Sequence, residues 1–260
     1  MPTPRPPYTP HLMAHRRGRL WRSLSVGALA ATCLPLAMAQ TCQRSAGAQP
    51  PAVVELFTSQ GCSSCPPADA WLSTLKGNEG VIALSFHVNY WNYLGWKDPY
   101  ATAETTERQR QLQQAMKGAY VYTPQVVLNG RDHRQWREQG THPLPRLPAT
   151  PQAPTLSLAR NGTQVTAQVG ALPGQGQLAG YWAVLSDGLS QQVTRGENAG
   201  SRLVNDHVVS HYQPVPAWNA NSPHTLQLTV PAQSGKGRVV FIVTQPGYTQ
   251  PVQGLALQCS

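Results

Sequence analysis

Two cysteines, Cys62 and Cys65, stand two residues apart in the stretch "ELFTSQGCSSCPP", Glu55 to Pro67. A pair at this spacing cycles between dithiol and disulfide, supplies half of a metal site, or forms a fixed cross-link. A structural zinc site needs four ligands, and the chain has no second CxxC. A Cu(I) site of Cys62, Cys65 and His87 needs only soft ligands and stands as an alternative; no metal and no other cofactor is assigned. The flanking residues favour redox chemistry. "PAVVELFTS" reads as a buried strand. Pro66 and Pro67 suit the first turn of a helix, where a missing N–H costs nothing. Ala68, Trp71, Leu72 and Leu75 then follow helical spacing as far as Gly77. Free N–H groups at a helix N-terminus favour a thiolate. Cys62 is therefore expected to be the exposed nucleophile, and Cys65 the deeper thiol that resolves a mixed disulfide.

Other residues qualify for roles at such a site. Glu55 lies inside an apolar strand seven residues before Cys62, and a charge there needs a reason. It either takes a proton from Cys65 during exchange or pairs with an arginine. Thr123-Pro124 opens the strand "PQVVLNG" and is a candidate cis bond. Tyr90 and Trp91, with Tyr93 and Trp96 nearby, either line a peptide groove or pack under a loop. His87 ends the second strand, and a bond to a loop carbonyl is its plainer reading. His207 and His211 have the i, i+4 spacing of a helical metal pair, but Val208 and Val209 between them favour a strand.

The N-terminus carries an export pattern. "HRRGRLWR" is basic, "SLSVGALAATCLPL" is apolar but short for a membrane span, and "AMA" is a small-x-small cleavage site, so residues 1–39 read as a signal peptide. Beyond it fifteen basic and eleven acidic residues remain, a net charge of +4. No basic run is interleaved with aromatics, which argues against nucleic acid, and no later stretch is long and apolar enough for a membrane span. A periplasmic or secreted bacterial protein is expected. Its cysteines are then Cys42, Cys62, Cys65 and Cys259, an even number, as suits an oxidising compartment. If Cys62 pairs with Cys65, Cys42–Cys259 remains as a structural disulfide.

The elements that must hold the site follow in order. After the first strand and helix come a strand "GVIALSFHV", an aromatic loop "NYWNYLGWKDPYA", a polar helix "TAETTERQRQLQQAMKG", and the strand "VYTPQVVLNG" with an Asn-Gly turn. This is an α/β pattern with a parallel element, and residues 40–142 read as its domain. Prolines crowd residues 143–154, a stiff extended linker. Residues 155–260 alternate in short runs such as "TLSLARNGTQVTAQV", "YWAVLSDG" and "RVVFIVTQ", which reads as a β-sandwich-like domain.

The CxxC between strand and helix and the distant Thr-Pro resemble the thioredoxin fold. More closely, "VVELFTSQGCSSCPPADAWL", "FHVNYWNYLGWKDPYA", "TERQRQ", "VYTPQVVLNG" and "RGENAG" with "NDHVV" resemble the DUF1223 family of secreted bacterial proteins. The resemblance implies a thioredoxin-like fold in which Pro124 sits beside the two sulfurs and the backbone at Thr123 pairs with an extended substrate. Asn89 and Asn92 stand where the family pattern has aspartates. Two functions follow. One is a thiol–disulfide oxidoreductase acting on exported thiol or disulfide proteins, on small thiols or on a redox partner. The other is a non-catalytic thioredoxin-like binding module.

Overall fold

The computed structural model describes residues 41–47, 49–140, 142–149, 153–230, 237–247 and 249–259; the expected signal peptide, 1–39, lies outside them. Strand β2 (Ala52–Thr58) is buried along its whole length, as its run of apolar and β-branched residues requires. Helix α1 (Pro66–Ser73) follows with prolines in its first turn. Strand β3 (Val81–His87) returns parallel to β2, in a register that sets Leu56 beside Ser85 and Thr58 beside His87. Helix α2 (Ala103–Ala115) starts on a capping box: the Thr102 hydroxyl accepts from the Thr105 N–H at 3.1 Å, and the Thr105 hydroxyl accepts from the Thr102 N–H at 3.0 Å. Strand β4 (Gln125–Leu128) lies antiparallel to β2 on its other side. The Asn129–Gly130 turn has positive φ at both residues and leads into β5 (Arg131–Asp132). Only one helical turn follows, α3 (Trp136–Gln139), whose Trp136 packs on Trp71 of α1.

The second half is built of strands: β6 (Leu156–Asn161), β7 (Gln164–Val169), β8 (Gln177–Ser186), β9 (Leu189–Gln192), β10 (Arg202–Asn205), β11 (Val208–Asn219), β12 (His224–Thr229), β13 (Arg238–Thr244) and β14 (Pro251–Leu257). The expectation of two domains joined by a linker does not hold. Residues 39–260 form one compact unit, because strands of both halves share an eight-stranded sheet in the order β14-β13-β8-β11-β3-β2-β4-β5. The seam is a parallel bridge between Val208 and Ser85, where the Ser85 N–H donates to the His207 carbonyl at 2.8 Å. The proline-rich run is extended but docked. Leu144 and Leu147 are buried, Gln49 donates to the Leu147 carbonyl at 2.7 Å, and Asn129 donates to that of Pro145 at 2.8 Å.

Strand alternation sorts the core into layers. Ala52, Val54 and Leu56 of β2 face α1, with Ala68 and Leu72. Val53 and Phe57 face the opposite way, toward Leu112 of α2, together with Tyr181 and Ala183 of β8. Trp182 and Val184 of β8 turn to a third cluster beneath a four-stranded sheet in which β6, β7 and β12 are preceded by β1 (Thr41–Ser45), in the order β1-β6-β7-β12. Strand β1 (Thr41–Ser45) therefore belongs to this second sheet, paired with β6, and not to the sheet that carries the CxxC. The Cys42–Cys259 disulfide joins it to the residues just past β14.

Candidate functional site

Cys62 and Cys65 form a disulfide at the turn between β2 and α1, with Cα atoms 5.5 Å apart. The turn is tightly bonded. The Cys62 N–H donates to the Ser59 carbonyl at 3.1 Å, and the Gly61 N–H to the Ser59 hydroxyl at 3.1 Å. Cys65 is the N-cap of α1, and its carbonyl accepts from the N–H groups of Ala68 and Asp69.

Contrary to expectation, Cys62 is not exposed: its accessibility is 1 %, and that of Cys65 is 0 %. The loop between β9 and β10 is bonded to this turn. Asn198 donates its side-chain amide to the carbonyls of Gln60 at 3.0 Å and of Cys62 at 2.9 Å. Glu197 accepts from the Ser63 N–H at 2.8 Å, and this bond lowers the pKa of its carboxyl. Gly196, with φ +73°, lies against Leu94 and Trp96, where a β-carbon would come within 3.5 Å of the Trp96 Cβ. The stretch "RGENAG" thus acts as a cap on the CxxC. From the sequence it carried a family resemblance but no role.

Among the expected site residues, Trp91 and Thr123 are brought to the cysteine turn. The Trp91 indole N–H donates to the Thr123 hydroxyl at 2.7 Å, and a β-carbon on Gly61 would lie 3.1 Å from the Trp91 Cβ. The Thr123–Pro124 bond is cis. Pro124 directly precedes Gln125, which pairs with Phe57, so it stands at the same end of the sheet as the cysteine turn. The Tyr90 hydroxyl donates to Gln109 of α2 at 3.2 Å and also interacts with the Thr123 side chain.

Glu55 is not at the site. It lies on the α2 face of β2, opposite to α1, where it accepts from Arg108 Nε at 3.0 Å, from Arg108 Nη2 at 2.8 Å and from the Tyr181 hydroxyl at 3.1 Å. The Arg108 guanidinium is stacked 4.8 Å from the Tyr181 ring centre. The period of two along a strand decides this: Thr58, and not Glu55, shares the face of α1.

His87 is fully buried and bonds to a carboxylate instead of a carbonyl: Nδ1 lies 2.7 Å from Asp98 Oδ2. The same oxygen accepts from the Gln60 N–H at 2.8 Å, and Asp98 Oδ1 accepts from the Tyr100 N–H at 3.0 Å. Burial disfavours the imidazolium, but Asp98 and then Asp69 outweigh it and raise the His87 pKa. Burial likewise works against the Asp98 carboxylate, but His87 and the two N–H donors hold its pKa down. Both shifts describe a charged pair. Asn92 accepts from the Asp98 N–H at 3.1 Å and so fixes the loop. Asp98 and Asp69 were legible only as polar letters in "GWKDPYA" and "PPADAWL". Among the described residues no group of three or more His, Cys, Asp or Glu is arranged to hold a metal, so the Cu(I) grouping is not assembled. His211 lies in strand β11, and His207 contacts Arg238 Nη2 through Nδ1 at 2.8 Å. No helix among the described residues is long and apolar enough to cross a membrane.

Comparison with known proteins places residues 53–244 in a match to the family described as "Protein of unknown function (DUF1223)". A crystal structure of a protein from Agrobacterium tumefaciens, determined by a structural genomics consortium, is similar at 31 % identity and a TM-score of 0.63; the match covers 82 % of this chain and 96 % of that one. HBP35 of Porphyromonas gingivalis is similar in fold at 16 % identity and a TM-score of 0.53, over 82 % of this chain and 76 % of that one. No curated protein matches.

Proposed function

This chain belongs to the DUF1223 family, and from that premise we propose that it is an exported thiol–disulfide oxidoreductase built on a thioredoxin-like unit, acting through the Cys62–Cys65 pair in the periplasm or outside the cell. One observation carries the reading: the CxxC disulfide sits where a strand of the parallel pair β2–β3 hands over to a helix, next to Trp91 and Thr123. That position gives the first sulfur the N-terminal end of a helix, which lowers the cost of a thiolate. Exposed Tyr93 and Tyr120, with Trp91, offer apolar surface for an exported protein chain. The two disulfides support an oxidising compartment.

The test is reduction of insulin, and oxidation of a reduced model protein, by the chain lacking residues 1–39. Turnover that disappears in Cys62→Ser supports the proposal. A second reading, a non-catalytic binding module with a fixed disulfide, draws on the burial of both cysteines beneath Glu197 and Asn198. Absence of turnover in both directions would favour it.

A further inference from the structure

The N-cap and helix α1 align a stripe of side chains at i, i+3, i+4 and i+7: Cys65, Ala68, the half-buried Asp69 and Leu72. Three of them are fully enclosed core residues. The fourth is an acid whose Oδ1 is shut off from solvent with no hydrogen-bond partner. A carboxylate on the packed side of a helix costs stability unless it has a task. Beneath it the β2–β3 register places Thr58 and His87 side by side, on the face that α1 covers. His87 Nε2 is also enclosed and without a partner, while its Nδ1 is engaged by Asp98. One helical turn separates Asp69 from Cys65, and the Asp69 N–H donates to the Cys65 carbonyl at 3.2 Å. Residues four apart on a helix have Cβ atoms about 5–6 Å apart, the span of a direct contact or of one bridging water.

We propose that Asp69 is the proton acceptor for Cys65 during thiol–disulfide exchange, and that His87, fixed by Asp98, is the positioning residue that keeps the Asp69 carboxylate available; this rests on the exchange activity proposed above. In the mixed disulfide, a bond joins Cys62 Sγ to a substrate sulfur. The Cys65 thiol passes its proton to Asp69. The resulting thiolate attacks Cys62 Sγ, the Cys62–Cys65 bond forms, and the bond from Cys62 to the substrate breaks. The substrate sulfur leaves as a thiolate and takes a proton from solvent. The substrate disulfide has then gained two electrons and the protein dithiol has lost them. The reverse sequence returns the proton from Asp69 to Cys65.

The surroundings suit an acid that both takes and releases a proton. Burial pushes the Asp69 carboxyl up to about 7, against the pull of the His87 charge and the Thr58 hydroxyl, while Asp98 pushes the same way as burial. Its titratable or charged neighbours are Cys65 on its own helix, His87 from β3 and Asp98 from the loop beyond. Strand β2 presents the uncharged Thr58. Strand β10, also packed on α1, carries Arg202, whose Nε donates to the Ser190 hydroxyl.

The test uses the chain lacking residues 1–39 with its Cys62–Cys65 pair reduced and Cys42 and Cys259 replaced by serine, and an aromatic disulfide reagent, dithiobis-nitrobenzoate. Attack by Cys62 releases one coloured thiolate, and closure by Cys65 releases the second. Asp69→Asn is expected to leave the first release near its wild-type rate and to slow the second at pH 7 by about a hundredfold, the lower end for loss of a general base. The pH profile of the second release should lose its inflection near 7, and Asp69→Glu should restore part of the rate. His87→Gln should move that inflection. A second release that Asp69→Asn leaves unchanged at every pH overturns the proposal. As an independent measurement, Cys65 alkylation in Cys62→Ser should follow two titration steps, and a single step overturns it also. If the wild type fails to turn over insulin, the oxidoreductase reading falls, while the two releases still report whether Asp69 serves Cys65.

Discussion

Asn198 and Cys62 are joined across 136 residues of sequence: the Asn198 side-chain amide donates to the Cys62 carbonyl at 2.9 Å. With its second bond, to Gln60, this side chain ties the second half of the chain to the backbone of the CxxC turn. Loosening of the β9–β10 loop is therefore expected to raise access to Cys62.

Asn198→Ala removes both bonds. A hydrogen bond of this kind contributes about 1 kcal/mol net, and the loss of two corresponds to an open population larger by about thirtyfold. The reduced variant is expected to alkylate at Cys62 faster by up to about thirtyfold, with Cys65 little changed. Peptide mapping at limiting iodoacetamide reads both sites, and equal rates in variant and wild type would show that the cap does not limit access.

Glu55→Gln separates the two carboxylates that a strand reading cannot. Glu55 neutralises the buried Arg108 on the face away from α1. Breaking a buried pair by removing one charge costs about 3–5 kcal/mol. Urea unfolding should therefore show a large loss of stability, while exchange per folded molecule stays at the wild-type level. A selective loss of exchange would return Glu55 to the chemistry.

Asp98→Ala should be comparably damaging to folding and should also disturb the site. It strips the acceptor from both His87 Nδ1 and the Gln60 N–H. The expected loss is about 3–5 kcal/mol, measured by denaturant unfolding, together with faster proteolysis in the 60–65 turn.

What the sequence made legible depended on the range of each signal. Strands β2 and β3, helices α1 and α2 and the Asn129–Gly130 turn all announce themselves through local periodicity and turn chemistry. Strand β11 did not: Pro214 and Pro216 interrupt its pattern, yet it is the strand that joins the two halves. With it went the shared sheet, and so the domain boundary was misplaced. At the site, the cysteines, Trp91 and Thr123 were each legible from short motifs, although the bond between Trp91 and Thr123 was not. The cap at Glu197 and Asn198 rests on contacts more than 130 residues apart in sequence, which no local pattern encodes. Asp69 was overlooked because a helical stripe is read for its apolar members, and its one polar member went unread.

Asp69 should leave a mark on stability as well as on rate. Its folded pKa, about 7, lies above the unfolded value of about 3.9. Below pH 4 both states carry the proton and there is no penalty. As pH rises toward 7 the unfolded chain releases the proton first, so native stability falls, and above 7 the loss is complete. The full effect is on the order of 4 kcal/mol. Asp69→Asn should flatten this decline and be the more stable protein above pH 7, as read from urea midpoints at pH 5 and pH 8. A parallel pH dependence in both proteins would place the titration elsewhere.

The remaining disulfide makes a separate claim. Cys42 lies on β1, the edge strand of the four-stranded sheet, and Cys259 lies just past β14, the edge strand of the eight-stranded sheet. Both side chains pack against the core cluster that the two sheets enclose. The bridge therefore clips one edge of that layer shut. It closes a loop of 217 residues, for which chain entropy gives about 5 kcal/mol, although cross-links commonly deliver less. The Cys42→Ser, Cys259→Ser double variant should fold, because β1 still pairs with β6 over five residues, but should unfold at lower urea by an amount below that figure. Its Cys62–Cys65 reduction potential should be unchanged, since β1 belongs to a different sheet from the CxxC turn. Non-reducing digestion and mass spectrometry of the wild type should recover Cys42 and Cys259 in one linked peptide pair; separate, alkylatable peptides would remove the clip from the account.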